Sequence, residues 1–147
     1  LKTDIENGVL ARSAINDTIS PNVSGNSLPY APKHNLILGL GYSLKNTIDI
    51  DVNYRYVSRC YSDYENIDYA FNRGDTGPIP SYWLLNATIQ YKYNNTLRIF
   101  LTGKNLLDKV YIGSRLHSNP RSNFASSSSG IMPGMRRQIN LGINYNF

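Results

Sequence analysis

Histidine and cysteine, the side chains that most often carry metal or nucleophilic chemistry, are few and scattered in this sequence. His34 and His117 are the only histidines, and carboxylates accompany neither of them at metal-ligand spacing. Cys60 is the only cysteine, which excludes an internal disulfide, and no histidine lies near it in the sequence. We therefore expect no metal site and no cofactor, and a neutral loop position for Cys60 rather than a nucleophile.

One triplet has the residue types of an acid–base catalyst. Asp75-Thr76-Gly77 spells the triplet of aspartic proteases, in which two such carboxylates share a proton. It occurs once, in a Gly- and Pro-rich loop, and no apolar strand precedes it. An enzyme stays open as an alternative, but the sequence favours a protein that is not an enzyme.

The composition limits the classes of protein to which this sequence can belong. The 147 residues are 41% hydrophobic and carry a net charge of +5, and their mean hydropathy is −0.37. The longest nearly apolar run, residues 36–42, is far shorter than the roughly 18 residues of a transmembrane helix. Leu1 follows neither a Met nor a charged leader, so we expect a mature or excised piece. Twelve tyrosines against four phenylalanines suit a boundary between an apolar and a wet phase.

Residues 135–147 show the clearest strand pattern. Successive side chains of a strand point to opposite faces, so alternate residues share a face. One set is apolar after its first member and the other is small or polar: Arg137, Ile139, Leu141, Ile143, Tyr145 and Phe147 against Gln138, Asn140, Gly142, Asn144 and Asn146. The same alternation predicts strands over about 35–44, 47–58, 82–93 and 96–106, after a loop at 1–34 that leads into the first of them.

These strands are joined alternately by two-residue turns and by loops of more than twenty residues. The turns are Lys45-Asn46 and Asn94-Asn95. Strands of 10 to 13 residues, tilted by about 40°, span about 30 Å, which exceeds the apolar band of a membrane barrel. The pattern predicts an all-β, antiparallel transmembrane β-barrel wall. A soluble β-sandwich binding module is the alternative, and it would stay dissolved and monomeric without detergent.

Four segments then resemble one family. The segment 105–111, NLLDKVY, is similar to the NLFDKxY-like motif near the end of TonB-dependent outer-membrane receptors, with Leu107 where Phe is common. The segment 133–137, PGMRR, resembles the family's approach to its last strand, and residues 25–36 resemble a loop-to-strand passage about five strands earlier. Tyr145 and Phe147 resemble the C-terminal signal for outer-membrane assembly. Within the family, the sequence looks nearest to ferric-siderophore and ferric-citrate receptors.

The resemblance implies that residues 1–147 are the last five to six strands of a roughly 22-stranded barrel. The family's plug domain, which contacts TonB, is absent from them. Short turns would face the periplasm and long loops the outside. The implied partners are a ferric chelate, the TonB complex through the missing plug, the outer-membrane assembly machinery and the lipid bilayer, and no nucleic acid. The implied role is energy-coupled uptake of a ferric siderophore or ferric citrate.

A ferric citrate-like ligand is anionic, so arginine and tyrosine side chains of the outer loops are the candidate ligand contacts. They are Arg59, Arg73, Arg115, Arg121, Tyr61 and Tyr64. A second set of charged residues is expected to face the barrel lumen and to pair there or with the plug: Asp49, Asp51, Arg55, Lys92, Arg98 and Lys104. Solvated loop charge is the alternative role for the arginines.

Overall fold

A computed structural model of the chain describes residues 12–14, 17–19, 22–70, 77–116 and 130–146. Every regular element within them is a β-strand. In chain order these are β1 (Arg12–Ala14), β2 (Asp17–Ile19), β3 (Asn35–Leu44), β4 (Ile48–Val57), β5 (Cys60–Tyr61), β6 (Pro78–Ile79), β7 (Tyr82–Lys92), β8 (Leu97–Lys104), β9 (Ile112–Leu116), β10 (Gly130–Pro133) and β11 (Gln138–Tyr145). No helix in the described part of the chain has the length and apolarity to cross a membrane.

The chain divides into two compact units. The strand unit comprises Asn35–Val57, Tyr82–Val110 and Met135–Phe147, and the loop unit comprises Leu1–His34, Ser58–Ser81 and Tyr111–Gly134. The strand unit holds one antiparallel sheet in the order β11-β8-β7-β4-β3. Its neighbours are consecutive long strands of the sequence, so the sheet is a meander, as the alternation of turns and loops predicted.

The register brings the apolar rows of all five strands onto one face of the sheet. Leu38 pairs with Tyr54, and Tyr54 pairs in turn with Leu85. Further along, Leu101 lies opposite both Ile89 and Leu141. Among the described residues, none forms a layer over this apolar face: the exposed fraction is 73% for Leu40 and 71% for Leu141. Such a surface requires an apolar environment outside the chain.

The opposite face of the sheet is largely polar. Asn53 lies opposite Asn86, and the Asn86 amide donates to the Asn53 Oδ1 at 2.8 Å. Thr88 and Thr102 also pair across their strands, with hydroxyl oxygens 3.3 Å apart. Hydrogen bonds of this kind stabilise a sheet face that lies against water rather than against a core.

Two short connections end the long strands at one end of the sheet, here named the turn end. Lys45 and Asn46 have φ values of 46° and 55°, and the Thr47 amide donates to the Leu44 carbonyl at 2.9 Å. Positive φ at both central residues is what a tight hairpin turn requires. The second connection runs over residues 93–96 and is longer than predicted. The Asn94 side chain accepts there from the amides of Thr96 (2.9 Å) and Leu97 (2.7 Å).

The opposite end of the sheet is here named the loop end. At this end, three strands are shorter than the alternation of the sequence predicted. The strand predicted over 47–58 is observed as Ile48–Val57. The strand predicted over 96–106 ends at Lys104, because Asn105 has a φ of 48° and leaves the sheet. The strand predicted over 135–147 spans Gln138–Tyr145, because residues 135–137 make contacts with the segment 105–109 instead.

The loop unit contains short hairpins that the sequence did not indicate. β5 pairs with β6, and β9 pairs with β10, within stretches predicted as structureless loops. Val23, Cys60 and Ile79 are buried and form a small core. Alternation cannot reveal strands of two to five residues, since so short a run fits any pattern.

Candidate functional site

Three predicted ligand contacts lie together in the segment that follows β4. The Arg59 guanidinium lies over the Tyr61 ring at 5.2 Å and forms an ion pair with Asp68. Its side chain is nonetheless 46% exposed. Tyr64 is 51% exposed. Arg59 and Tyr61 thus present a cation beside a phenol ring, a pair of groups that suits an anionic or aromatic ligand.

Arg115 differs from the prediction. It lies in β9 rather than in a loop, and it is buried. Its guanidinium donates to the Pro78 carbonyl at 2.7 Å, while its amide donates to the Tyr30 hydroxyl at 3.2 Å. A buried guanidinium needs such partners, because an unpaired buried charge is costly. Arg115 therefore joins β6 to β9 within the loop unit and does not present its charge to solvent.

Tyr30 connects two of the predicted residues. Its hydroxyl donates to the Arg115 carbonyl at 2.8 Å, and its amide donates to the Tyr61 carbonyl at 2.8 Å. Tyr30 has a φ of 56°, which is uncommon for an aromatic residue. The hydrogen bonds of Tyr30 fix the segment that carries Tyr61. The sequence does not reveal this role, because it depends on the backbone conformation of Tyr30.

An asparagine joins the first two long segments of the loop unit. The Asn66 side chain accepts from the Ser27 amide at 2.7 Å and donates to the Ser27 carbonyl at 2.9 Å. In addition, the Asn26 side chain donates to the Tyr64 carbonyl at 2.9 Å. An amide side chain has both a donor and an acceptor, so it can pair with a backbone group as another strand would. These bonds hold Tyr64 in a fixed position on the loop unit.

Several predictions fall on residues outside the described ranges. Arg73, Arg121, Asp75 and Phe147 are among them, and their roles stay predictions. Cys60 lies within the described ranges, where burial raises the pKa of its thiol. The thiol is therefore protonated at neutral pH. Cys60 begins β5, so the predicted loop position is wrong.

The six charged residues predicted to face a lumen share the polar face of the sheet by register. Among these residues, Asp49 has two side-chain partners. It forms an ion pair with Lys92 at 2.6 Å and accepts from the Ser43 hydroxyl at 2.7 Å. Arg98 lies directly opposite Lys92, while Arg55 donates to the Asn35 side chain at 3.4 Å. Asp51 lies opposite Gly41 and Lys104 opposite Gln138 on the same face.

At the loop end, Asn105 closes the turn that begins the NLLDKVY segment. Asn105 is only 3% exposed. Its side chain donates to the carbonyls of Lys109 and Met135, each at 2.9 Å, and accepts from the Lys109 amide at 2.8 Å. Its own amide donates to the Asn86 side chain at 2.9 Å. One buried amide thus links β7, the turn and the segment before β11.

Asp108 links the same turn to the PGMRR segment. Its carboxylate accepts from the Arg136 guanidinium at 2.8 and 2.5 Å and from the Arg137 amide at 2.9 Å. The Arg136 guanidinium, followed by the Arg137 amide, holds the pKa of the Asp108 carboxyl well below its ordinary value of 3.8. Two motifs that the sequence offered separately are therefore parts of one structural contact.

Comparison with known proteins places this geometry in a family. Residues 7–106 match the family model described as TonB dependent receptor-like, beta-barrel. A probable TonB-dependent receptor, BfrD of Bordetella pertussis, is 28% identical over 124 residues, which are 82% of this chain and 15% of that protein.

Solved structures give the same family. The ferric citrate transporter FecA, in its unliganded form, matches 83% of this chain and 18% of its own at 26% identity and a TM-score of 0.70. The ferric-catecholate import receptor Fiu from E. coli K12 matches 84% of this chain and 16% of its own at 28% identity and a TM-score of 0.63. The siderophore receptor PiuA from Acinetobacter baumannii, at 21% identity and a TM-score of 0.70 over 92% of this chain and 17% of its own, agrees in fold.

This chain spans about a sixth of the length of these relatives. Its antiparallel sheet, with an uncovered apolar face and a polar face, is the geometry of a membrane barrel wall. The chain belongs to the family of TonB-dependent receptor-like β-barrels, which are outer-membrane proteins.

Proposed function

We propose that this chain is part of the barrel wall of a receptor that takes up a ferric chelate, a ferric siderophore or ferric citrate, in a TonB-dependent, energy-coupled step. The observation that carries the proposal is the likeness to two solved structures above 25% identity, one described as a ferric citrate transporter and the other as a ferric-catecholate import receptor. Members of the family are receptors and transporters rather than enzymes. The comparisons do not favour a soluble sandwich.

In this proposal the chain supplies the last strands of the barrel, and a plug domain that contacts TonB lies upstream. The turn end of the sheet faces the periplasm, and the long loops of the chain face the outside. The polar face of the sheet, with the Asp49–Lys92 pair and Arg98, lines the lumen. An uncovered apolar face on the other side supports this orientation, since lipid is the environment that such a face requires.

The loop unit would make the first contact with the chelate. Arg59, Tyr61 and Tyr64 are the described candidates, because the Arg59 guanidinium lies over the Tyr61 ring and Tyr64 is exposed. Arg73 and Arg121 remain candidates from the sequence. Arg115 would act indirectly, because its backbone groups hold the Tyr30 hydroxyl and the Tyr30 amide in turn donates to the Tyr61 carbonyl. A charge-assisted hydrogen bond to an anionic ligand contributes roughly 1.5–3 kcal/mol, so loss of Arg59 should weaken binding about tenfold or more.

Uptake of radioactive iron by cells that carry the complete receptor tests the proposal. Ferric citrate and a ferric catecholate are supplied separately, and a protonophore removes the energy source in a parallel sample. We expect uptake of one chelate, its loss with the protonophore, and about tenfold weaker chelate binding in Arg59→Gln. Lys45→Gln removes the same charge from a turn and serves as the matched control. Uptake of neither chelate, or uptake unaffected by the protonophore, would refute the proposal.

A further inference from the structure

A lysine lies over the tryptophan at the loop end of the sheet. Trp83 is on the apolar face, where it lies opposite Tyr56 and stacks on Tyr54 with ring centroids 5.9 Å apart. The Lys109 ammonium lies 6.0 Å from the Trp83 ring centroid. A cation over the face of an indole is attracted by the ring, and both groups are typical of the boundary between acyl chains and headgroups.

A second cation lies on the same side of the sheet. The Leu106 side chain covers Gly103, which belongs to the apolar row of β8 and lies opposite Ile139. The Arg137 guanidinium reaches the Leu106 carbonyl at 3.5 Å and is exposed. Arg137 and Lys109 therefore border the apolar face at its loop end.

Exposed apolar side chains accompany these cations. Leu107, Val110 and Met135 are 57%, 65% and 62% exposed. The segments 105–110 and 135–137 hold three cations, Lys109, Arg136 and Arg137, and one carboxylate, Asp108, which leaves 3 − 1 = 2 positive charges. A surface that is both apolar and basic matches a ligand with acyl chains below an anionic group.

The turn end of the sheet lacks this combination. Its apolar face carries Tyr42, Tyr91 and Tyr145, while Lys92 and Arg98 belong to the polar face. At the turn end, no cation of the described strands belongs to the apolar row, and Lys45 lies in the turn itself. Under the proposed function, the loop end lies in the outer leaflet of the membrane.

From this juxtaposition we propose that Lys109 and Arg137, beside Trp83 and Leu106, bind the phosphate groups of a phosphorylated lipid in the outer leaflet. The lipid's acyl chains lie along the apolar face of the sheet, and its phosphates accept from the ammonium and the guanidinium. Arg136 remains with Asp108 and holds the turn in place. The proposal rests on the proposed function only for the orientation of the barrel in the membrane.

Native mass spectrometry of the complete receptor in detergent tests this lipid site. The probes are a bis-phosphorylated glycolipid, zwitterionic phosphatidylethanolamine and inorganic phosphate. The double variant Lys109→Gln/Arg137→Gln should bind the glycolipid about thirtyfold more weakly, roughly fivefold for each basic residue near the surface. The variant Lys109→Arg/Arg137→Lys keeps both charges and should bind as the wild type does, and so should Lys45→Gln.

The remaining outcomes decide the source of the phosphate. Phosphatidylethanolamine should bind weakly and equally to all variants, and inorganic phosphate should not displace the glycolipid. Equal glycolipid binding by the wild type and the Gln double variant, or displacement by inorganic phosphate alone, would overturn the proposal. Chelate binding is measured on the same samples. Weaker chelate binding in Arg59→Gln tests the proposed function and not the lipid site. The lipid site predicts that Lys109→Gln/Arg137→Gln binds the chelate as the wild type does.

Discussion

At the scale of single residues, Asn105 combines two requirements that few side chains meet. Its backbone has a φ of 48°, and its side chain makes three hydrogen bonds to backbone groups while nearly fully buried. Asparagine tolerates this backbone region better than most residues, and its amide supplies both donors and an acceptor. Aspartate would place acceptor oxygens against the carbonyls of Lys109 and Met135, so the amide itself is required.

Two substitutions of Asn105 test its backbone conformation and its side-chain hydrogen bonds separately. Asn105→Gly keeps the backbone conformation and loses the side-chain hydrogen bonds, so we expect a loss of about 2–4 kcal/mol in the free energy of unfolding. Asn105→Ala also forces a Cβ into the left-handed region, which should cost about 1–2 kcal/mol more. Urea unfolding of the complete protein in liposomes measures both. If both variants lost the same free energy of unfolding, the left-handed backbone conformation at this position would carry no energetic cost.

The ion pair at Asp108 makes the same turn sensitive to acid. The pKa of the folded carboxyl lies below 3.8, so its contribution is complete above about pH 5 and is lost as the pH falls through the folded pKa. The local readout is hydrogen exchange of the Arg137 amide, which donates to Asp108. We expect faster exchange in Asp108→Asn than in the wild type at neutral pH, by about tenfold, and convergence of the two protection factors in acid. If the exchange rates of the Arg137 amide in the wild type and in Asp108→Asn differed as much below pH 3 as at neutral pH, the result would contradict the ion pair.

At the scale of the strands, the contact between β8 and β11 depends on a glycine under an aromatic ring. The Phe100 ring lies over Gly142 on the polar face, and a Cβ at Gly142 would overlap it. An aromatic ring that covers a glycine on the adjacent strand is a known way to stabilise a pair of strands and set their register. It also gives a reason for a phenylalanine on a largely polar face.

Alanine at two glycines of the same face tests this contact. Gly142→Ala must displace the Phe100 ring and should cost about 1–3 kcal/mol, as overpacking does. Gly39→Ala meets no atom within 4 Å and serves as the matched control, with an effect near zero or slightly stabilising. In Phe100→Ala, the further change Gly142→Ala should cost far less than in the wild type. Additive costs in unfolding experiments would exclude direct contact between the two side chains.

The strands also show what the sequence could predict. Alternation indicated five long strands and their two faces correctly, because lipid and water impose period two on every strand of the sheet. It could not indicate where strands stop, since those positions depend on Asn105 and Asp108, whose partners lie about thirty residues away. For the same reason Arg115 was predicted as a loop residue: its partners, Tyr30 and Pro78, come from distant segments.

At the scale of the whole molecule, the sheet of the strand unit is open at both edges within the described residues. In the part of the chain that the structure describes, β3 and β11 are the edge strands of the sheet, and each pairs with a strand on one side. Backbone groups that remain unpaired in hydrocarbon cost several kcal/mol each, so the edges require further strands. A longer barrel meets that requirement, which agrees with a chain that spans about a sixth of its relatives.

The division between the two faces is tested most directly at adjacent positions of β11. Leu141 lies on the apolar face near the middle of the strand, and Asn140 lies on the polar face beside it. Arginine facing acyl chains near the bilayer midplane costs about 2–4 kcal/mol, whereas arginine facing water costs little. We therefore expect Leu141→Arg to lower the unfolding free energy of the complete barrel by that amount and to reduce its assembly. Asn140→Arg adds the same side chain one residue away and should leave both unchanged. A larger loss for Asn140→Arg than for Leu141→Arg would reverse the assignment of the faces and exclude the membrane orientation.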